Sequence, residues 1–109
     1  KGMVTNTEIF IGTELKLNVN IEPMGEFTMD DYDWYVEVYC STKRVLALPK
    51  KTAIRIDSDN YVVLVDSEEL GAGDVKCKVV ALIPDFDFPD TIRKEVAMVD
   101  TGINIVKTI

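Results

Sequence analysis

The stretch Gly71–Pro84, Gly-Ala-Gly-Asp-Val-Lys-Cys-Lys-Val-Val-Ala-Leu-Ile-Pro, constrains the fold more than any other. Its glycines supply the positive φ that a sharp entry needs, and its proline, which cannot donate to a sheet ladder, ends the run. Val75, Cys77 and Val79 alternate with Asp74, Lys76 and Lys78, and Val80–Ile83 is then apolar at every position. Alternation marks a strand with one buried face; a continuous apolar run marks one covered on both. The stretch therefore reads as the central strand of a β-sandwich, and the other strands are placed relative to it.

The flanking segments repeat the period of two. Leu15, Leu17, Val19 and Ile21 alternate with Lys16, Asn18, Asn20 and Glu22, and Trp34, Val36, Val38 and Cys40 alternate with Tyr35, Glu37 and Tyr39. Shorter strands are expected at 8–11, 44–48, 53–56, 61–65, 92–99 and 103–106. Turns are expected at 23–25, 41–43 and 100–102. Asp57-Ser58-Asp59-Asn60 reads as a four-residue hairpin turn, and Lys50-Lys51 as a solvated basic pair. Ser67–Leu70 reads as one helical turn capped by Ser67. Turn signals every eight to twelve residues predict an all-β antiparallel sandwich of seven to eight strands. Its expected core is Leu17, Val19, Trp34, Val36, Val38, Ile54, Ile56, Val63, Val75, Val79 and Val96.

A chain of 109 residues, 47% of them hydrophobic, can fill one core without metal or disulfide, so residues 1–109 are read as a single domain. Lys1-Gly2-Met3 lacks signal-peptide character and reads as a cloning scar or a trimmed start, with residues 1–7 expected outside the sandwich. No run approaches the roughly 18 apolar residues of a membrane helix. A net charge of −7 with no basic stripe disfavours a nucleic-acid partner. The chain has no histidine, which removes the commonest general base and metal ligand and every Ser-His or Cys-His nucleophile pair. No catalysis, cofactor or small-molecule substrate is expected.

Three aspartate groups bear on metal binding: Asp30, Asp31 and Asp33; Asp57 and Asp59; and Asp85, Asp87 and Asp90. None has the spacing of a calcium loop with its closing glutamate, and aspartates suit turns by bonding the nearby backbone, so no metal is expected. Gly71-Ala72-Gly73 precedes a strand rather than opening a helix, so it is a turn and not a phosphate loop.

The strand count, the tryptophan opening a middle strand and the long penultimate strand resemble an immunoglobulin-like sandwich. The cysteines depart from the antibody pattern: Leu15–Ile21 has none, and Cys40 lies on the tryptophan strand. A narrower resemblance covers roughly residues 27–107. Tyr32–Val38, Asp59-Asn60-Tyr61, Leu70-Gly71-Ala72-Gly73, Ile83-Pro84-Asp85, Phe88-Pro89-Asp90 and Thr101-Gly102-Ile103 resemble the immunoglobulin-like N-terminal domain of phage baseplate upper proteins and related small Bacteroidetes phage and prophage proteins. The resemblance implies a non-catalytic virion or baseplate assembly module, located in the virion or, if prophage-encoded, the bacterial cytoplasm. The alternative is a cell-surface adhesion or carbohydrate-binding module, with calcium as a conceivable aid.

In that strand order, pairing Trp34 with Ile83 sets Cys40 opposite Cys77, as two buried thiols or a cross-strand disulfide. The same register sets Tyr35 beside Leu82 and Glu37 beside Val80 on the outer face, with Arg93 next to Leu82 and Glu95 next to Val80. Tyr35, Val80, Leu82 and Arg93, with Phe86 and Phe88 of the adjacent loop, form the candidate surface for a protein partner or a homo-oligomer. The competing expectation is that the N-terminal strand or the C-terminal tail folds over this face.

Overall fold

The computed structural model describes residues 7–22, 27–40 and 45–108. Residues 1–6, Arg44 and the turns expected at 23–25 and 41–43 lie outside the described residues. Eight strands form two sheets: β1 (Thr7–Phe10), β2 (Glu14–Asn20), β3 (Asp33–Cys40), β4 (Val45–Pro49), β5 (Ile54–Asp57), β6 (Asn60–Asp66), β7 (Gly73–Pro84) and β8 (Ile92–Val106). The larger sheet has the order β1-β8-β7-β3-β4 and the smaller β2-β6-β5. This is an immunoglobulin-like sandwich, with β7 in the middle of the five-stranded sheet, as its bracketed apolar run predicts. One pairing departs from the antiparallel expectation: β1 runs parallel to β8, from Thr7 opposite Ile103 to Phe10 opposite Val106. Thr7 thus belongs to the sandwich.

The core lies between the sheets. Trp34, Val36, Val38 and Cys40 from β3 and Val75, Cys77, Ala81 and Ile83 from β7 meet Tyr61, Val63 and Val65 from β6 and Val19 from β2. Trp34 is fully buried, and its ring meets Tyr61 edge to face at 5.0 Å. Met29, Tyr32, Leu70 and Ile105 also lie in the core. Pattern reading missed the first three because Met29 and Tyr32 sit in the turn before β3 and Leu70 ends a one-turn helix, where no alternation announces an inward side chain.

Three expected core residues are solvent-facing: Ile54 at 48% exposure, Ile56 at 57% and Val96 at 51%. In β5, the pairing of Ile54 with Val62 and Arg55 with Tyr61 gives Arg55 the inward phase. Its guanidinium reaches Asp30 with contacts of 2.8–3.1 Å, so an ion pair fixes the phase of this edge strand against its hydrophobic alternation.

Turn details differ as well. Asp57 pairs with Asn60, so the hairpin closes over two residues, Ser58 and Asp59, not four. Helix α1 (Ser67–Leu70) is capped by Asp66, whose carboxylate accepts from Glu68 N. The Ser67 hydroxyl instead accepts from Gly12 N at 2.8 Å. Of the expected solvated pair Lys51 is exposed, while Lys50 is half-buried: it starts a 3₁₀ turn, Lys50–Thr52, and its ammonium donates to the carbonyls of Asp30 and Tyr32. The expected break at 100–102 is a bulge inside one strand, since β8 runs unbroken from Ile92 to Val106.

Candidate interaction surface

β3 and β7 pair with Trp34 opposite Ala81, so the expected register is displaced by two residues. Two residues preserve the face, and Tyr35, Val80 and Leu82 do point outward together. Cys40 now lies opposite Val75, and Cys77 opposite Val38. The cysteines are therefore diagonal, a placement that sets Cα atoms about 7–8 Å apart rather than within direct cross-strand reach. Both are thiols in the core, and Cys40 donates to the Leu70 carbonyl at 2.8 Å. Burial pushes the Cys77 thiol up to about 11, which keeps it protonated and a poor nucleophile.

β8 is displaced by one residue, which reverses faces. Arg93 pairs with Ile83, and Glu95 with Ala81, both of them inward positions of β7. The Arg93 guanidinium bonds Asp85 and Glu95 at 3.2 Å each. Arg93 is thus removed from the candidate surface; Lys94, opposite Leu82, takes its outward place, and Val96, opposite Val80, takes the place expected for Glu95. The cause is the β7–β8 loop. Asp85 N donates to Thr91 O at 2.8 Å, and Thr91 adopts a left-handed φ of 59°, so the hairpin closes with Pro84 opposite Ile92. Sequence inspection has no signal for a left-handed threonine, because β-branched residues seldom adopt that conformation.

The outer face of the large sheet can be laid out in rows. Val45, Tyr39, Lys76 and Asp100 form one; Ala47, Glu37, Lys78 and Met98 the next; Pro49, Tyr35, Val80 and Val96 the third; Asp33, Leu82 and Lys94 the fourth. Val80 points outward yet is only 1% exposed, walled in by its neighbours. Tyr39 reaches across to Met98, hydroxyl to sulfur, at 3.8 Å. Glu37 and Lys78 form a 3.7 Å ion pair. Among the described residues nothing covers this face, and Val45, Val96 and Met98 remain 51–57% exposed. β1 lies at the edge of β8, and residues 103–106 belong to β8 itself, so neither described terminus folds over the sheet.

At the end of this sheet the β7–β8 loop presents Phe86 at 89% exposure and Phe88 at 43%. Bonds from Asp87 N to the Asp85 carboxylate, Phe88 N to Asp85 O and Thr91 N to Phe88 O hold the loop. Phe86 is thus a large apolar group on a braced support.

A second apolar feature lies on the inner side. The three-stranded sheet is narrower than the five-stranded one, so β2 does not cover the inward face of β8. Leu17, Val63, Val79, Val99 and Ile103 line the resulting trough, of about 430 Å³.

The aspartate groups are occupied by protein. Asp30 bonds Arg55 and the Tyr61 hydroxyl, Asp57 accepts from Asp59 N and the Asn60 amide, and Asp85 holds Arg93. Among the described residues no group of three or more His, Cys, Asp or Glu converges as a metal site. Among the described residues no helix is long and apolar enough to cross a membrane. Comparisons with protein-family models, with curated proteins and with solved structures return no match to this chain.

Proposed function

We propose that the chain is a non-catalytic assembly module, of the phage tail or baseplate kind, that docks on other protein through the outer face of its five-stranded sheet. The observation that carries this reading is the apolar band on that face, in which Val45, Val96 and Met98 are exposed and Pro49 and Tyr35 half-buried around the buried Val80. A solvated antiparallel sheet face is ordinarily polar, and an exposed apolar patch rimmed by charge marks a contact surface. Phe86, on its braced loop, adds an aromatic anchor of the type that dominates binding energy. The virion setting rests on the loop motifs that resemble baseplate upper proteins.

The test is to purify tail or virion particles encoded beside the gene and quantify the chain in them by mass spectrometry. Wild type is expected in the particles. Val96→Asp, at a half-exposed position, should keep its circular dichroism and fall at least about tenfold in particle content. Absence of the wild-type chain from the particles overturns the proposal.

A further inference from the structure

We infer that the occupant of this face is a second copy of the same chain, packed sheet to sheet about a two-fold axis parallel to the strands between β3 and β7. The inference rests on the proposed function and names its partner.

Charge selects the partner. The chain carries 12 Lys and Arg against 19 Asp and Glu, so two copies repel over most of their surface. The face between the Lys76 and Leu82 rows differs: Lys76, Lys78 and Lys94 balance Asp33, Glu37 and Asp100, three against three. An acidic chain with one neutral, apolar-centred face can meet itself there at least electrostatic cost.

Position then selects the axis. A two-fold axis between β3 and β7 lays the β3 column over the second copy's β7 column, and β4 over β8. Glu37 then faces Lys78 of the second copy, and the reciprocal contact repeats it. The two intrachain Glu37–Lys78 pairs become a ring of four alternating charges. Pro49 meets Val96, and Ala47 meets Met98, so the two exposed apolar groups of β8 in these rows each find a small apolar one. Such a contact is isologous and closes at two copies.

Size sets the expected strength. Four strands at about 4.8 Å and the seven residues from Lys76 to Leu82 at about 3.3 Å give a face of roughly 450 Å² per copy. The total, roughly 900 Å², lies at the small end of protein interfaces, where contacts are weak and reversible.

Sedimentation equilibrium from about 1 μM to 1 mM is the test, with circular dichroism as the fold control. Wild type should dimerise reversibly, and Met98→Asp should be a folded monomer. Glu37→Lys and Lys78→Glu should each weaken self-association at least about tenfold. Mixed together they should form a heterodimer as tight as wild type, because each variant then supplies the charge the other lacks. Monomeric wild type, a dimer untouched by Met98→Asp, or a mixture no tighter than its components overturns the second-copy contact. A monomer that still enters particles, and leaves them on Val96→Asp, removes only this inference. A dimer absent from particles removes only the assembly reading.

Discussion

Asp30 stands in the turn before β3 but ties three elements together. Its carboxylate takes Arg55 of β5 and the hydroxyl of Tyr61 of β6, and Tyr61 in turn packs on Trp34 of β3. Hydrogen bonds from Arg55 first, then Tyr61, hold the Asp30 carboxyl down at about 2, below its ordinary 3.8. A carboxylate whose folded value is depressed stabilises the fold above its unfolded value, and that contribution fades as pH falls through the folded one. The urea midpoint should therefore drop between about pH 4 and pH 2, and Asp30→Asn should flatten that part of the profile. An unchanged profile in Asp30→Asn would show that the cluster contributes nothing to acid stability. Arg55 was legible as a charged residue in a strand, but its partner was not. Asp30 is distant in sequence, and alternation carries no information about an ion pair.

The long hairpin of β7 and β8 sets both faces of the large sheet. At the bulge, pairing jumps from Lys76–Asp100 to Val75–Ile103. The extra residues are held by Thr101 Oγ1 donating to Val75 O at 2.8 Å and by Gly102 N donating to the Asp100 carboxylate. Gly102 has φ 74°, where a side chain is strained. Gly102→Val should cost about 1–2 kcal/mol in denaturant titration, and a loss near zero would mean the bulge relaxes. The β-strands, their order of appearance and the central role of β7 were legible because alternation and turn residues are local signals. Register was not. The two-residue slip on β3 kept every face, while the one-residue slip on β8 exchanged Arg93 and Glu95 for Lys94 and Val96. Both slips depend on loop geometry, and Thr91 shows why: its left-handed φ follows from the closed loop and not from its own preference.

At the scale of the molecule the two sheets are unequal, and their protection should be too. Backbone amides in β7 and β3 have strands on both sides, and so do those of β6 in the smaller sheet. β2, β4 and β5 are edges, and so is β8 from Ile92 to Asp100, because β1 pairs only with residues 103–106. Opening an edge breaks one ladder and exposes little apolar area, whereas opening β7 requires global unfolding. Hydrogen exchange should therefore be slowest in β7 and β3, then β6, and fastest in β5 and in the outward-directed amides of β8 before the bulge. The dimer contact lies on the face of the sheet and leaves its edges free. Raising the concentration should thus slow exchange in β3 and β7 through mass action on global opening, with little change at the β8 edge. Strong concentration-dependent protection of β2 and the β8 edge would instead mean that copies join edge to edge through the trough between them, and the face-to-face arrangement would be lost.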